Sequence, residues 1–561
     1  MPFKHIAILT LLCLSYYTNA QHLYLNVAGE TDTETERLDS IWYPKKHMNL
    51  QSAQHALDTL SQQLNYLGYI EHTRTPLQHI NDSTLTSRFK LKTQYNSIKI
   101  FYNDSLLNTE TLKSISTNST EDYFIVAFKD LEKSLNHLNI KLSEHGNPFI
   151  KLKLEDISIH NKIVTAQLKT VTVSKPRQID NIIIKGYEKF PEKFIKHYLK
   201  LKTGTVFNLN TIRKKTERLN ELPFANQIRD PEVLFTEDST TLYIYVEKIK
   251  SNSFDGYLGF TTNENTNKLE FSGYLDMLLQ NNLNFGESLK LNYRSDENDQ
   301  RNFNLKLDAP YLFKSPIGVQ AELNIFKKDS SFTTTDQNLK LYYQFNPKHK
   351  MYLGLNSTQS NNLLTTNNTT ITDYNSTFFE TQYDFTNRTV NTQLFPIKTY
   401  ATTQVGFGDR TIRQSKQKQT RLTAKAYHSF YLNAKNSIYT KIEAAALLSD
   451  NYLDNELFRF GGINSIRGFE ENSLVANLYG VLNLEYRLQL NPTIYIHTIS
   501  DFGYLENQIF TQKEKLLGLG VGFAILTKAG LLKFNYANGQ TEKQPFNISN
   551  SKIHLSITSF F

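Results

Sequence analysis

The chain of 561 residues contains a single cysteine, Cys13, inside an apolar N-terminal stretch. Cleavage after Ala20 would leave a mature protein without thiols, which excludes disulfides and thiol chemistry. Long apolar runs are equally scarce. Beyond the N-terminus no stretch approaches the roughly 20 apolar residues of a membrane-spanning helix, so helical spans are excluded. The 14 histidines show no metal-ligand spacing, and no Gly-x-Ser-x-Gly elbow occurs. Gly518, Gly520 and Gly522 alternate along a strand pattern with no helix start behind them. They are therefore assigned to relief of crowding at a bend rather than to a phosphate loop. No catalytic residue, metal or cofactor is left to assign, and the chain reads as a protein that is not an enzyme.

The basic excess of 62 Lys and Arg over 54 Asp and Glu gives a net charge of +8. These residues are spread along the chain, which fits a solvated surface and no nucleic-acid partner. Aromatics, by contrast, are abundant, with 32 Tyr and 36 Phe against a mean hydropathy of −0.45. A membrane β-barrel has this character, because each strand is apolar on one face only.

Residues 1–20 have the form of a cleavable secretory signal: Lys4, a short apolar core from Ile6 to Leu14, and Thr18-Asn19-Ala20 before Gln21. Leu12 precedes Cys13, where lipid attachment would need a small residue. From Gln21 to about Lys250, strands and helices mix in a recurring order. The clearest unit has a strand over 179–186, helices over 192–201 and 209–222, and strands over 231–236 and 240–248. In its second helix Asn208 is a plausible N-cap, with Leu209, Ile212, Leu219 and Leu222 near helical spacing. Looser copies carry a strand over 22–28, a helix over 50–67 and strands over 70–80 and 84–93, then a strand over 97–102, a helix over 123–138 and strands over 149–160 and 164–173. A period of roughly 75 residues indicates about three modules, with boundaries expected at 21–95, 96–176 and 177–250.

Residues 251–561 have a different character: alternating segments separated by Asn, Asp, Gly, Ser and Lys clusters. Leu478, Leu482, Leu484, Tyr486, Leu488 and Leu490 share one face of such a segment, and Tyr479, Val481, Asn483, Glu485, Arg487 and Gln489 the other. About 16 segments of this kind predict a transmembrane antiparallel barrel. The last carries Ile553, Leu555, Ile557 and Phe561 on one side. An even strand number brings both barrel ends to the side of the modules. The connection between segments 11 and 12, about 450–477, is then an external loop and the longest one.

That loop holds Gly461-Gly462, which permits a sharp turn, and Ile466-Arg467-Gly468-Phe469. The latter resembles the signature of the inward-folded loop in the BamA/TamA and two-partner-secretion superfamily. Leu484-Glu-Tyr-Arg487 is similar to that family's acidic strand motif, and Ser500-Asp-Phe-Gly503 to its Asp-x-Gly. Gly518-Leu-Gly-Val-Gly522 followed by residues 529–536 resembles its penultimate strands. Alternation places Glu485 and Asp501 on the lumen face, where one Arg467 guanidinium can bridge both through paired hydrogen bonds.

The resemblance implies POTRA-type modules in the periplasm, a barrel in the bacterial outer membrane, and a lock made by Arg467, Gly468, Phe469, Glu485, Asp501 and Gly503. It implies unfolded outer-membrane or secreted protein clients as partners, with periplasmic or lipoprotein accessory subunits and outer-membrane lipid. It also implies a seam between residues 254–262 and 553–561. The leading expectation is an assembly factor for outer-membrane proteins. The alternatives are a two-partner-secretion transporter, which usually carries two modules behind a plug helix, and a passive channel or structural membrane protein.

Overall fold

The computed structural model describes residues 22–102, 107, 109–171, 175–262, 269–295, 300–364, 370–389, 394–527 and 530–560. The signal expected over residues 1–20 lies outside them. Two units emerge: Met1–Gln178 with Val206–Leu209, and Ile179–Thr205 with Asn210–Phe561.

The first unit contains two sheets. In one, β1 (Leu23–Gly29) is flanked by β2 (Lys46–His47) and runs parallel to β5 (Thr84–Lys90), which also pairs β3 (Thr73–Arg74) and β4 (Gln78–Asn81). Helix α1 (Asp32–Asp39) follows β1, and α2 (Leu50–Tyr66) covers the sheet. Asn49 and Ser52 form a capping box at the start of α2, whose Ala53, Ala56, Leu57, Leu60 and Leu64 are buried at helical spacing. The strand expected over 70–80 is two short pieces. Pro76, between them, has no N–H to give to a ladder.

The second sheet has the order β7-β8-β6-β10-β9, built from β6 (Ser97–Phe101), β7 (Asn118–Ser119), β8 (Tyr123–Ala127), β9 (Leu152–His160) and β10 (Ile163–Thr170). Helix α3 (Thr109–Ile115) precedes β7, and α4 (Leu131–Ser143) follows β8. The helix expected over 123–138 is thus corrected: its first part is a strand. Tyr123–Ala127 buries Phe124 and Val126 alternately, a period of two supplied by aromatic and β-branched residues.

The second unit begins with a smaller sheet. β11 (Asn181–Gly186) runs parallel to β13 (Thr240–Lys248), which pairs antiparallel with β12 (Ala225–Phe235). Helices α5 (Lys193–His197) and α6 (Leu209–Thr216) are shorter than expected, α6 passing into a 3-10 turn over Glu217–Glu221. The β-α-α-β-β order is the expected one.

The remaining chain closes a barrel of 16 antiparallel strands. They are β14 (Ser253–Thr262), β15 (Leu269–Gln280), β16 (Ser288–Ser295), β17 (Gln300–Ala309), β18 (Ile317–Lys328), β19 (Phe332–Asn346), β20 (His349–Asn362) and β21 (Tyr374–Arg388). Then come β22 (Ile397–Ile412), β23 (Ser415–Tyr431) and β24 (Asn436–Leu448). A separate hairpin, β25 (Phe458–Phe460) with β26 (Leu474–Ala476), interrupts the barrel before β27 (Leu478–Asn491), β28 (Ile494–Asn507), β29 (Gln512–Thr527), β30 (Gly530–Thr541) and β31 (Lys552–Phe560). Alternation sets the faces: Leu339, Leu341, Leu353 and Leu355 are exposed outside, while Lys340, Asn356 and Thr358 are buried inside. Among the described residues the first and last strands meet only through Ser253↔Phe560 and Phe254↔Ser559, whereas β14 pairs β15 along its whole length.

The third module is fixed to the barrel turns beside it. The Tyr187 hydroxyl donates to Asn284 at 2.8 Å and accepts from Asn281 at 2.9 Å. His197 Nε2 donates to the Lys314 carbonyl at 2.8 Å. Phe194 meets Tyr311 edge-on at 4.9 Å and Phe224 at 5.3 Å. Gly286, at φ 80°, leaves room for the Phe194 ring, which a Cβ there would meet at 2.2 Å. Replacing Phe194 with alanine should cost the joint about 3 kcal/mol, seen as earlier cleavage near residues 187–200 in limited proteolysis across a urea series. Unchanged cleavage would show that the joint does not depend on this ring.

Candidate functional site

The connection from β24 to β27 does not stay outside the barrel wall. Its root makes a 3-10 turn at Asp454–Glu456. There Glu456 accepts from the fully buried Arg410 of β22, which also donates to Gln417 and Asn451. Asn455 donates to Ser360 at 2.8 Å and to the Thr372 carbonyl at 2.9 Å. The hairpin β25–β26 then carries the chain inward, with Phe460 stacked on Tyr479 at 4.2 Å.

Gly461 and Gly462 turn the tip at φ 116° and 85°, and Gly468 has φ 91°. A side chain is strained at each of these angles. Ile466 is buried completely and Arg467 almost completely. Phe469 is partly buried and packs with Leu474 onto the cluster of Phe460, Ile466, Tyr479, Val481, Leu505 and Leu516.

Arg467 meets both carboxylates predicted for it. Its Nε donates to Asp501 Oδ2 at 2.8 Å and its Nη2 to Asp501 Oδ1 at 2.6 Å, a two-pronged match of guanidinium to carboxylate. The Arg467 backbone N–H adds a third bond to Asp501 Oδ2 at 2.9 Å. Nη1 donates to Glu485 Oε1. The other oxygen of Glu485 accepts from Arg487 Nε at 2.7 Å. Asp501 has no exposed surface, and Glu485 is buried, so the ions exchange water for one another and for a full set of hydrogen bonds.

Three further residues hold the tip: Asn483 and Arg487, which alternation places on the lumen face without naming a partner, and Lys441, which no sequence pattern marks. Asn483 donates to the Ser465 carbonyl at 2.7 Å, and Lys441 Nζ to that of Asn464. Arg487 lies over the Tyr439 ring at 3.8 Å. Of the three glycines assigned to relief of crowding, Gly518 is docking surface for the tip, whereas Gly520 lies against Ala537 and Gly522 against His497 and Asn535. A Cβ on Gly518 would lie 2.3 Å from the Arg467 carbonyl oxygen, and one on Gly539 would lie 2.6 Å from that of Gly468. Gly503 stands against Ile466 in the same way, a Cβ there meeting its Cδ1 at 3.1 Å. The Gly-x-Gly-x-Gly alternation was the available signal, since it puts bare backbone on one face of a strand.

Ile553 and Leu555 are exposed on the outer face of β31, opposite Tyr536 and Phe534 of β30. Ile557 lies in the same strand, while Phe561 falls outside the described residues. Among the described residues no group of His, Cys, Asp and Glu could hold a metal, and no helix is long and apolar enough to cross a membrane.

Gly518→Ala forces the Arg467 carbonyl to move, and the strain should lower stability by about 1–3 kcal/mol. The folded barrel's resistance to heating in detergent, followed as a gel-mobility shift, should fail at a lower temperature. An unshifted midpoint would mean that the tip does not press on this strand.

The Omp85 superfamily domain matches residues 281–561, and the POTRA "surface antigen variable number repeat" matches residues 178–248. No curated protein matches the chain. Among solved structures, BamA from Haemophilus ducreyi lacking POTRA domains 1–3 is 15% identical with a TM-score of 0.52, over 83% of this chain and 100% of that one. CdiB from Acinetobacter baumannii is 14% identical with a TM-score of 0.52, over 90% of this chain and 97% of that one. CdiB from Escherichia coli is 13% identical with a TM-score of 0.52, over 91% and 97%. At these identities the likeness concerns the fold. With the superfamily domain covering half of its length, and a POTRA module directly before it, the chain belongs to the Omp85 superfamily of outer-membrane β-barrel proteins.

Proposed function

We propose that this protein is an assembly factor that receives unfolded outer-membrane proteins on its periplasmic modules and inserts them into the membrane beside its barrel. The observation that carries the reading is the seam. Among the described residues two of β14 pair with β31, so the barrel can part there at the loss of few hydrogen bonds. An opened edge offers unpaired N–H and C=O groups to an incoming strand. The client then gains by burying its own apolar face in lipid and closing its own ladder, and no bond in it is made or broken.

The modules supply the earlier step. β9, at the edge of the second sheet, is the longest strand of the first unit's two sheets, and it presents Ile157 to solvent. An extended client segment can add to such an edge through main-chain hydrogen bonds that demand no particular sequence. Module boundaries at 21–95, 96–176 and 177–250 go with this arrangement, as does a periplasmic location. Accessory subunits would bind the same modules. In this reading the bridge from Arg467 to Glu485 and Asp501 keeps the loop docked while the seam works.

Depletion followed by an outer-membrane proteome tests the proposal: many barrel proteins should fall together. Loss of one large secreted protein alone would transfer the chain to two-partner secretion, and no loss would leave a passive channel. Arg467→Ala strands two buried carboxylates and should cost about 3–5 kcal/mol. The depleted strain would then not be rescued by this variant. Full rescue would remove the bridge from the function.

A further inference from the structure

The loop tip touches more than the wall that holds Arg467. Glu470 and Glu471 follow it by three and four positions, and each pairs with a cation on a different side of the seam. Glu470 Oε1 accepts from Lys552 Nζ at 2.8 Å. Lys552 opens β31, the last strand. Glu471 Oε1 lies 3.5 Å from Arg294 Nη1 on β16, the third strand of the barrel. The pairing of β14 with β31 is confined to Ser253 and Phe254, at the end beside the third module. Beyond it, toward Thr262 and Lys552, no ladder joins the two strands among the described residues. The acidic pair therefore stands where the seam has lost its hydrogen bonds.

From this we infer that Glu470 and Glu471 are positioning residues that clasp the far end of the seam, tying the last strand and the third strand to one docked loop. The tip is built to hold them there. Gly462 closes over Glu471, whose Oε2 a Cβ would meet at 2.0 Å, and Gly461 closes over the Glu470 carbonyl, which a Cβ would meet at 2.5 Å. The turn at Gly461-Gly462 and the segment from Arg467 to Glu471 consequently move as one body, so release of Arg467 frees both carboxylates together. Partly exposed ion pairs are individually weak. Their leverage comes from position, because among the described residues no ladder joins β14 to β31 at that end of the seam. The purpose of the clasp rests on the insertion reading above, but its existence does not, and the test reads the seam directly.

In full-length protein reconstituted in phospholipid vesicles, spin labels on Thr262→Cys and Ile553→Cys report the separation of the two strand ends by pulsed EPR. The clasped protein should give a narrow distance distribution. Glu470→Gln with Glu471→Gln should raise the separated population roughly three- to tenfold, the scale set by two partly exposed pairs. Glu470→Lys alone should broaden the distribution, and Glu470→Lys with Lys552→Glu should narrow it again. An unchanged distribution in the glutamine variant, or broadening that the charge swap does not reverse, would overturn the clasp. Heat-resistant mobility of each variant in detergent shows that the barrel itself has folded. If depletion leaves the outer-membrane proteome unchanged while the variants still broaden and the charge swap still narrows the EPR distribution, the insertion reading fails and the clasp stands.

Discussion

A cation buried inside the barrel governs the arrangement of this molecule. Arg467 has given up water, and only the paired carboxylates of Asp501 and Glu485 make that tolerable. The converse holds for the strands: without Arg467, Asp501 would lose its guanidinium partner and Glu485 would keep only its bond from Arg487. Loop and wall therefore specify one another. Gly518 and Gly539 remove the Cβ atoms that would keep the tip away, and Asn483 and Lys441 take up carbonyls that the inward path leaves without helix or sheet partners. The root is held separately, by Arg410 and Asn455 against strands on another part of the wall.

Around this fixed loop the barrel is uneven. Its interior ladders run the length of the strands, and its closure does not. The third module is anchored by Tyr187, Phe194 and His197 to the turns that follow β15 and β17. Contacts thus flank the weak seam: a packed module joint at one end and the ion pairs of the acidic loop tip at the other. For insertion this division is apt, since a client needs one edge to open while the frame that aligns it stays closed.

Much of this was legible in the sequence, for reasons that differ from element to element. Alternation alone placed Tyr479, Val481, Asn483 and Glu485 inward, because a half-lipid, half-polar strand must alternate. The Arg467 bridge was legible because its residues sit in short motifs of a recognisable superfamily. The Arg410–Glu456 pair was not, since partners 46 positions apart share no local pattern. Helix α1 escaped notice because it buries only Leu38 and is otherwise polar. Residues 123–127 were misread because the helical pattern of α4 was extended backwards over a strand of period two.

In the proposed function, clients enter the membrane at the seam. That entry is tested most directly by cross-linking Phe254→Cys to Ser559→Cys, a register pair in a chain whose one other cysteine is Cys13. The purified protein, in phospholipid vesicles, would be given an unfolded outer-membrane barrel protein. Oxidation should stop insertion, and a reductant should restore it. Insertion at the same rate with the disulfide closed would contradict the account.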